Sequence, residues 1–147
     1  MNRLTKRLQG FTLIELMVVI GIITILAAVV VVAVNPLRQF RSARDTQRRA
    51  DLREITSAIY QYSVDNNGQL PSGIPTGSSN AVNIGTGSGN LDLAAVLVPT
   101  YISKIPVDPL NGTDADTQYT IFQTSSGRIV ASASSELNPG TYISVER

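Results

Sequence analysis

The chain contains no cysteine and no histidine among its 147 residues. Without cysteine it has no disulfide staple, so an exported location is neither supported nor excluded on that ground. Without histidine it lacks the commonest general base and zinc ligand, which removes Ser-His-Asp, Cys-His and His-rich metal arrangements together. Nor is there a phosphate-binding Walker loop, a dinucleotide fingerprint or a nucleophile elbow. No enzyme is expected. The length suits one long helix and one modest domain rather than two large cores.

Charge is also missing over a long stretch. Residues 11–34 are 24 in number and hold a single ionisable side chain, Glu15. About 20 apolar residues cross a bilayer as a helix, so this run is expected to be a transmembrane segment. A carboxylate inside it must be compensated by a partner charge, hydrogen bonds or protonation, and intramembrane carboxylates are functional by default. The alternative is that Glu15 sits at the interfacial end of an anchor and reaches toward headgroups. Before the run lies a short basic leader, Arg3, Lys6 and Arg7, ending in Gly10. An ordinary secretory signal is cut behind its apolar stretch; here the small residue precedes it, so cleavage would leave the hydrophobic segment on the mature chain.

Gly10-Phe11-Thr12-Leu13-Ile14-Glu15-Leu16-Met17-Val18-Val19-Ile20, behind that leader and ahead of a long helix, resembles the class III signal of type IV prepilins and pseudopilins. The motif covers about the first 35 residues; downstream the likeness is looser. The resemblance implies cleavage after Gly10 by a membrane-embedded prepilin peptidase, N-methylation of Phe11, and an inner-membrane platform that assembles copies of the chain from the lipid bilayer into a helical filament. It also implies a partner for Glu15: the terminal amine of a neighbouring subunit. Two opposite charges in a low-dielectric bundle attract strongly, while each alone carries a desolvation penalty of several kcal/mol.

The formal net charge of +1 conceals a division: residues 1–53 carry nine basic and three acidic side chains, residues 54–147 three basic and eight acidic. Arg38, Arg41, Arg44, Arg48, Arg49 and Arg53 follow the apolar run directly. Three readings are open. These arginines form a solvated helix face, with Asp45 and Arg49 paired at i,i+4; they pack among acidic surfaces of neighbouring subunits; or they bind nucleic acid, as in DNA-uptake filaments, although no aromatics are interleaved. Basic residues also bear on topology. With three before the span and at least five within about 20 residues after it, the positive-inside rule favours a cytoplasmic C-terminal part. The leader resemblance implies the reverse, an extracytoplasmic head on a single-pass protein that later joins an extracytoplasmic filament.

Asn35-Pro36 is expected to kink or loosen the helix at Pro36. Helical pattern resumes, and Leu52, Ile55, Ile59 and Tyr62 make an apolar face at spacings of three and four. Asp65-Asn66-Asn67-Gly68 is stop chemistry, so a helix starting at Phe11 would run about 80 Å. Residues 66–90 hold 19 Gly, Pro, Ser, Asn or Thr among 25, predicting a long surface loop. Residues 91–102 predict a second helix with Asn90 as N-cap. Residues 118–123 and 128–133 predict a hairpin around Thr124-Ser125-Ser126-Gly127, with 141–145 as a third strand. The expected class is α+β, a pilin-like lollipop with its long helix packed on a small antiparallel sheet. Its divisions are 1–10 leader, 11–35 polymerisation helix, 36–66 amphipathic stem, 67–90 loop, and 91–147 joined by 52–66 as the head.

Asp108, Asn111, Asp114 and Asp116 gather hard oxygen groups within nine residues. In the resembled family the segment before the hairpin is where major secretion pseudopilins hold calcium, which makes calcium the candidate cofactor. The spacing is not that of an EF-hand, and Pro106, Pro109 and Gly112 also suit an ordinary polar turn. Asn111-Gly112-Thr113 fits a glycosylation sequon, incidental behind a bacterial-type leader. The sequence thus points to a structural subunit of a type IV pilus-like filament. Alternatives are a pseudopilin of type II secretion or DNA uptake, and a non-polymerising membrane-anchored binding module.

Overall fold

The computed structural model describes residues 10–147. It divides into two units, one ending at Gln39 and one starting at Phe40.

In the first unit, α1 spans Leu13–Val34. Thr12 is its N-cap, and Glu15 completes a capping box. The 22 residues rise about 33 Å at 1.5 Å each, enough to cross a hydrocarbon core of about 30 Å. None is buried within the chain, and the only hydroxyl in the interior, Thr24 Oγ1, donates to the carbonyls of Ile20 and Gly21 at 2.7 and 2.9 Å. Beyond the first turn, where Glu15 stands, such a helix leaves no side-chain polar group for lipid to satisfy.

The expected kink at Pro36 is a full interruption. Asn35 takes a left-handed conformation, φ 46° and ψ 75°, because the residue before a proline is driven out of the helical region and asparagine tolerates this one. Proline then occupies the first position of α2, Pro36–Asp65, where its missing N–H costs nothing. Asn35 serves the restart as well, its Oδ1 and its carbonyl oxygen both accepting from the Arg38 N–H. The single 80 Å helix expected from Phe11 is therefore two helices of 22 and 30 residues.

Most of α2 belongs to the second unit, where it buries Leu52, Ile55, Ala58 and Ile59 against a four-stranded antiparallel sheet. Its end matches the expected stop: Asn67 and Gly68 have φ of 55° and 85°, and the Gly68 N–H closes back on Ser63 O at 2.8 Å. Tyr62 is half-buried, its ring edge-to-face with Tyr101 at 5.6 Å.

Strands β1 (Val82–Asn83), β2 (Thr120–Gln123), β3 (Ile129–Ser134) and β4 (Tyr142–Glu146) lie in chain order across the sheet. The expected hairpin is β2–β3, with Ile121 opposite Ala131 and Gln123 opposite Ile129. Its turn is closed by Gly127 at φ 85°, and β4 pairs Ile143 with Ala133. Strand β1 was not expected. It arises inside the polar stretch 67–90, where Val82 pairs with Ile121 and Ile84, just past the strand's end, is fully buried. Leu70 and Ile74 also pack on the core. The stretch is thus an anchored edge rather than a free loop.

The helix expected over 91–102 shrinks to a single turn, α3 (Ala94–Leu97). Asn90 does not cap it, because its side-chain amide donates to Ala115 O at 2.8 Å. The Ala94 N–H is instead accepted by the Asp92 carboxylate at 2.9 Å. Pro99 limits continuation.

Candidate functional site

Two places carry the chemistry that the sequence singled out. The first is the start of α1. Glu15 Oε2 accepts from the Thr12 backbone N–H and from Thr12 Oγ1, both at 2.9 Å, while the Glu15 N–H donates to Thr12 Oγ1 at 3.2 Å. This reciprocal box satisfies helix-end donors that would otherwise be orphaned. Glu15 therefore has a partner within its own chain, one the motif Thr-Leu-Ile-Glu encodes at capping-box spacing. The carboxylate and the whole segment around it remain exposed. Phe11 is 91 % accessible, and a Cβ built on Gly10 would meet nothing within 4 Å. Among the described residues nothing crowds that position.

The second place lies in the second unit, at the N-terminal part of α2. Arg48 is only 4 % exposed. Its Nε and Nη2 clasp the two carboxylate oxygens of Asp108 at 2.6 and 3.1 Å, and its Nη1 donates to Asp45 at 2.7 Å. A buried guanidinium needs this saturation, because each of its donors would otherwise be lost from water without replacement. Asp45 in turn accepts from Ser135 Oγ (2.6 Å) and the Glu136 and Leu137 N–H groups (2.9 and 3.1 Å). Arg44 forks onto Glu136 at 2.6 and 2.5 Å. Nearby, Tyr119 Oη donates to the buried Asp51 at 2.6 Å. No buried side-chain nitrogen or oxygen lacks a partner among the described residues.

The electrostatics follow. Burial alone would raise the Asp45 pKa, but the Ser135 hydroxyl, two backbone N–H groups and Arg48 outweigh it and hold the carboxyl at about 2. Burial likewise opposes, and Arg48 with the Leu110 and Asn111 amides overcomes, in lowering Asp108. The Arg44 pair lowers Glu136, and the Asp108 pair raises Arg48. Burial and then Asp51 raise Tyr119.

Two expectations change. The arginine run is not uniformly a solvated face, since Arg44 and Arg48 are bound within the head and Arg41 reaches Glu136 at 3.9 Å. The expected Asp45–Arg49 pair is replaced by Asp45–Arg48 at i,i+3. Arg38, Arg49 and Arg53 stay exposed.

Three of the four expected calcium ligands spend their carboxylate oxygens on other partners within the chain. Asp108 is committed to Arg48 and to the Leu110 and Asn111 N–H groups, Asp114 pairs with Lys104 at 3.0 Å, and Asp116 accepts from the Gln118 backbone and side chain at 3.0 Å. Asn111 is exposed and contributes its backbone N–H to the Asp108 carboxylate. These are the bonds of a polar turn. Among the described residues no three Asp or Glu side chains gather as a metal-holding group. Melting the detergent-solubilised full chain in millimolar calcium and in chelator is expected to give the same Tm. A rise with calcium that disappears in Asp114→Ala would restore a cation to this turn.

Sequence comparison agrees with the motif. The prokaryotic N-terminal methylation motif matches residues 5–31. The chain is 44 % identical over 62 residues to the type IV wide pilus major component PilA4 of Thermus thermophilus, covering 42 % of this chain and 46 % of that protein. It is 35 % identical over 104 residues to the type II secretion system core protein G of Pseudomonas aeruginosa, covering 71 % of this chain and 69 % of that one. It thus spans under half of the first relative and just over two thirds of the second. No solved structure matches it. With the methylation motif at its start and a relative aligned through most of its length, the chain belongs to the type IV pilin and pseudopilin family.

Proposed function

We propose that this chain is a structural subunit of a type IV pilus-like filament, with no catalytic step of its own. The observation that carries the reading is α1: a 22-residue helix, apolar but for Thr24 and one carboxylate in the first turn, with none of its residues buried among the described residues. In a bilayer, lipid covers that surface. In a filament, other copies do, and Glu15 meets the amine that cleavage creates on Phe11 of a neighbour. Prepilin peptidase removes residues 1–10, and the inner-membrane platform then draws the subunit from the membrane with its head extracytoplasmic. The relative named for a wide pilus supports a surface pilus as first choice. The relative named for type II secretion, which aligns with more of this chain, favours a secretion pseudopilus as second reading. Neighbouring genes separate them: a retraction ATPase marks a pilus, a secretin with secretion-platform components a pseudopilus.

Processing tests the reading directly. Intact mass of the membrane-extracted protein is expected to match a chain beginning at N-methylated Phe11. Gly10→Val should insert normally and stay unprocessed, because the added side chain meets nothing among the described residues while a small residue before the cut is what the peptidase would require. A mature exported chain still starting at Met1 overturns it.

A further inference from the structure

Once the internal ion pairs are set aside, a few charges remain uncommitted on the head, among them Arg49, Arg53 and, beside Arg53, Glu54. Arg44 and Arg48 are spent on Asp45, Asp108 and Glu136, and Arg128 on Glu146. Arg147 bonds Ser57 and lies 5.9 Å over the Tyr60 ring. Arg49 and Arg53 are exposed, four residues apart on one edge of α2, and have no ion-pair or hydrogen-bond partner among the described residues. Elsewhere in the same unit, a cavity of about 200 Å³ opens between the segment after β1, α3 and the turn before β2, with Ile84, Leu93, Val98 and Ile105 as apolar wall. Three charged side chains belong to its lining, the carboxylates Asp92 and Asp114 and the ammonium of Lys104. Asp92 has no cation partner among the described residues and spends one oxygen on the Ala94 N–H. Asp114 holds Lys104, each side chain 69 % exposed. A surface pair of that kind contributes little, so an arriving cation exchanges for it at little cost.

An apolar wall beneath carboxylates is the complement of an arginine, whose methylene stem covers hydrocarbon while its planar fork takes a carboxylate. We infer that Arg49 and Arg53 of one copy dock on the Asp92 and Asp114 cavity of a second copy. The inference rests on the filament reading and adds the place where one head grips the next. The two surfaces share no residue, so the contact is heterologous: every copy offers both halves, and the contact propagates instead of closing as a two-fold dimer.

The absence of native cysteine makes the test clean, since introduced thiols are the only ones. Full-length Arg53→Cys and Asp92→Cys chains are co-expressed, and their sheared fibres are treated with a short bis-maleimide. A cross-linked dimer is expected from the mixture and from neither variant alone. Arg49→Glu with Arg53→Glu should lower fibre yield at least tenfold with the head Tm unchanged, and adding Asp92→Arg and Asp114→Arg should restore it. Normal fibres from the double Glu variant without a cross-link overturn this contact and leave the filament reading standing. A processed wild-type chain that makes no fibres overturns both, and is seen before any variant is made. Duplex DNA retained by the detergent-solubilised wild type, lost in the double Glu variant and accompanied by no cross-link, overturns the contact and assigns the arginine edge to phosphate.

Discussion

Glu15→Gln is expected to abolish most fibre assembly while leaving the membrane helix and head intact. Glutamine keeps the capping box, since its amide oxygen accepts from Thr12 as the carboxylate does and Gln serves at this position of the motif. What it loses is charge. If Glu15 acts only as a cap, the glutamine variant assembles normally and Glu15→Ala alone is impaired. If it answers the Phe11 amine of a neighbour, both variants fail together, because an unanswered ammonium remains in the bundle. A loss of only about 1.4 kcal/mol per subunit contact already lowers its equilibrium constant tenfold. Yield of sheared fibres, membrane retention and head melting are read in parallel. Full assembly by Glu15→Gln would end the charge-pairing account and leave a helix cap.

The second large effect falls on the head. Arg48→Met removes the cation that holds Asp45 and Asp108 and strands two carboxylates in a site where Arg48 was 4 % exposed. Breaking a buried pair in this way costs about 3–5 kcal/mol, several times what an exposed arginine contributes. Arg49→Met, one residue on and exposed, should change Tm little. The same cluster sets the acid response. Asp45 falls from 3.8 to about 2 on folding, and Asp108 and Glu136 move the same way. Groups with depressed folded pKa values stabilise fully above their unfolded pKa, and that stabilisation disappears as pH falls through the folded one. The wild-type head should therefore hold its Tm down to about pH 4 and lose it steeply between about 4 and 2. In Arg48→Met the folded pKa values of Asp45 and Asp108 move back toward the unfolded ones, so the acid loss is smaller and is complete at a higher pH. Equal acid profiles for the two proteins, or a Tm shift no larger than that of Arg49→Met, would show that the cluster does not hold the head.

The parts of the fold that were legible in the sequence are those written in local pattern. The run to Val34 shows by its unbroken apolar length, the Leu52, Ile55, Ile59 face by its spacing of three and four, and Thr124 to Gly127 supplies the chemistry that a hairpin turn needs. The arginine cluster was missed for want of reading that same spacing one step further. Asp45, Arg48, Asp51 and Leu52 continue the buried stripe toward the N-terminus, yet charged side chains on a helix suggest solvent until their partners are known. Those partners stand at Asp108 and at Ser135 to Leu137, sixty to ninety residues away, and no local pattern carries that distance. Strand β1 was hidden by composition. Among 19 turn-forming residues, the few apolar ones, Leu70, Ile74, Val82 and Ile84, are the ones that reach the core, so their isolation was itself the signal. The second helix failed because Asn90 had a competing acceptor at Ala115 and Pro99 stood too close.

The order of synthesis gives the Asp45 site a further meaning. Asp45 leaves the ribosome early, yet three of its four donors, Ser135 Oγ and the Glu136 and Leu137 amides, follow about ninety residues later. Strand β4, which borders β3, is later still. Until that stretch arrives, Asp45 has only Arg48 in this network, and Arg44 has no Glu136 to hold. The network therefore closes only after Leu137 is made, and a product released before Ser135 keeps an incompletely bonded charge cluster open to water and to proteases.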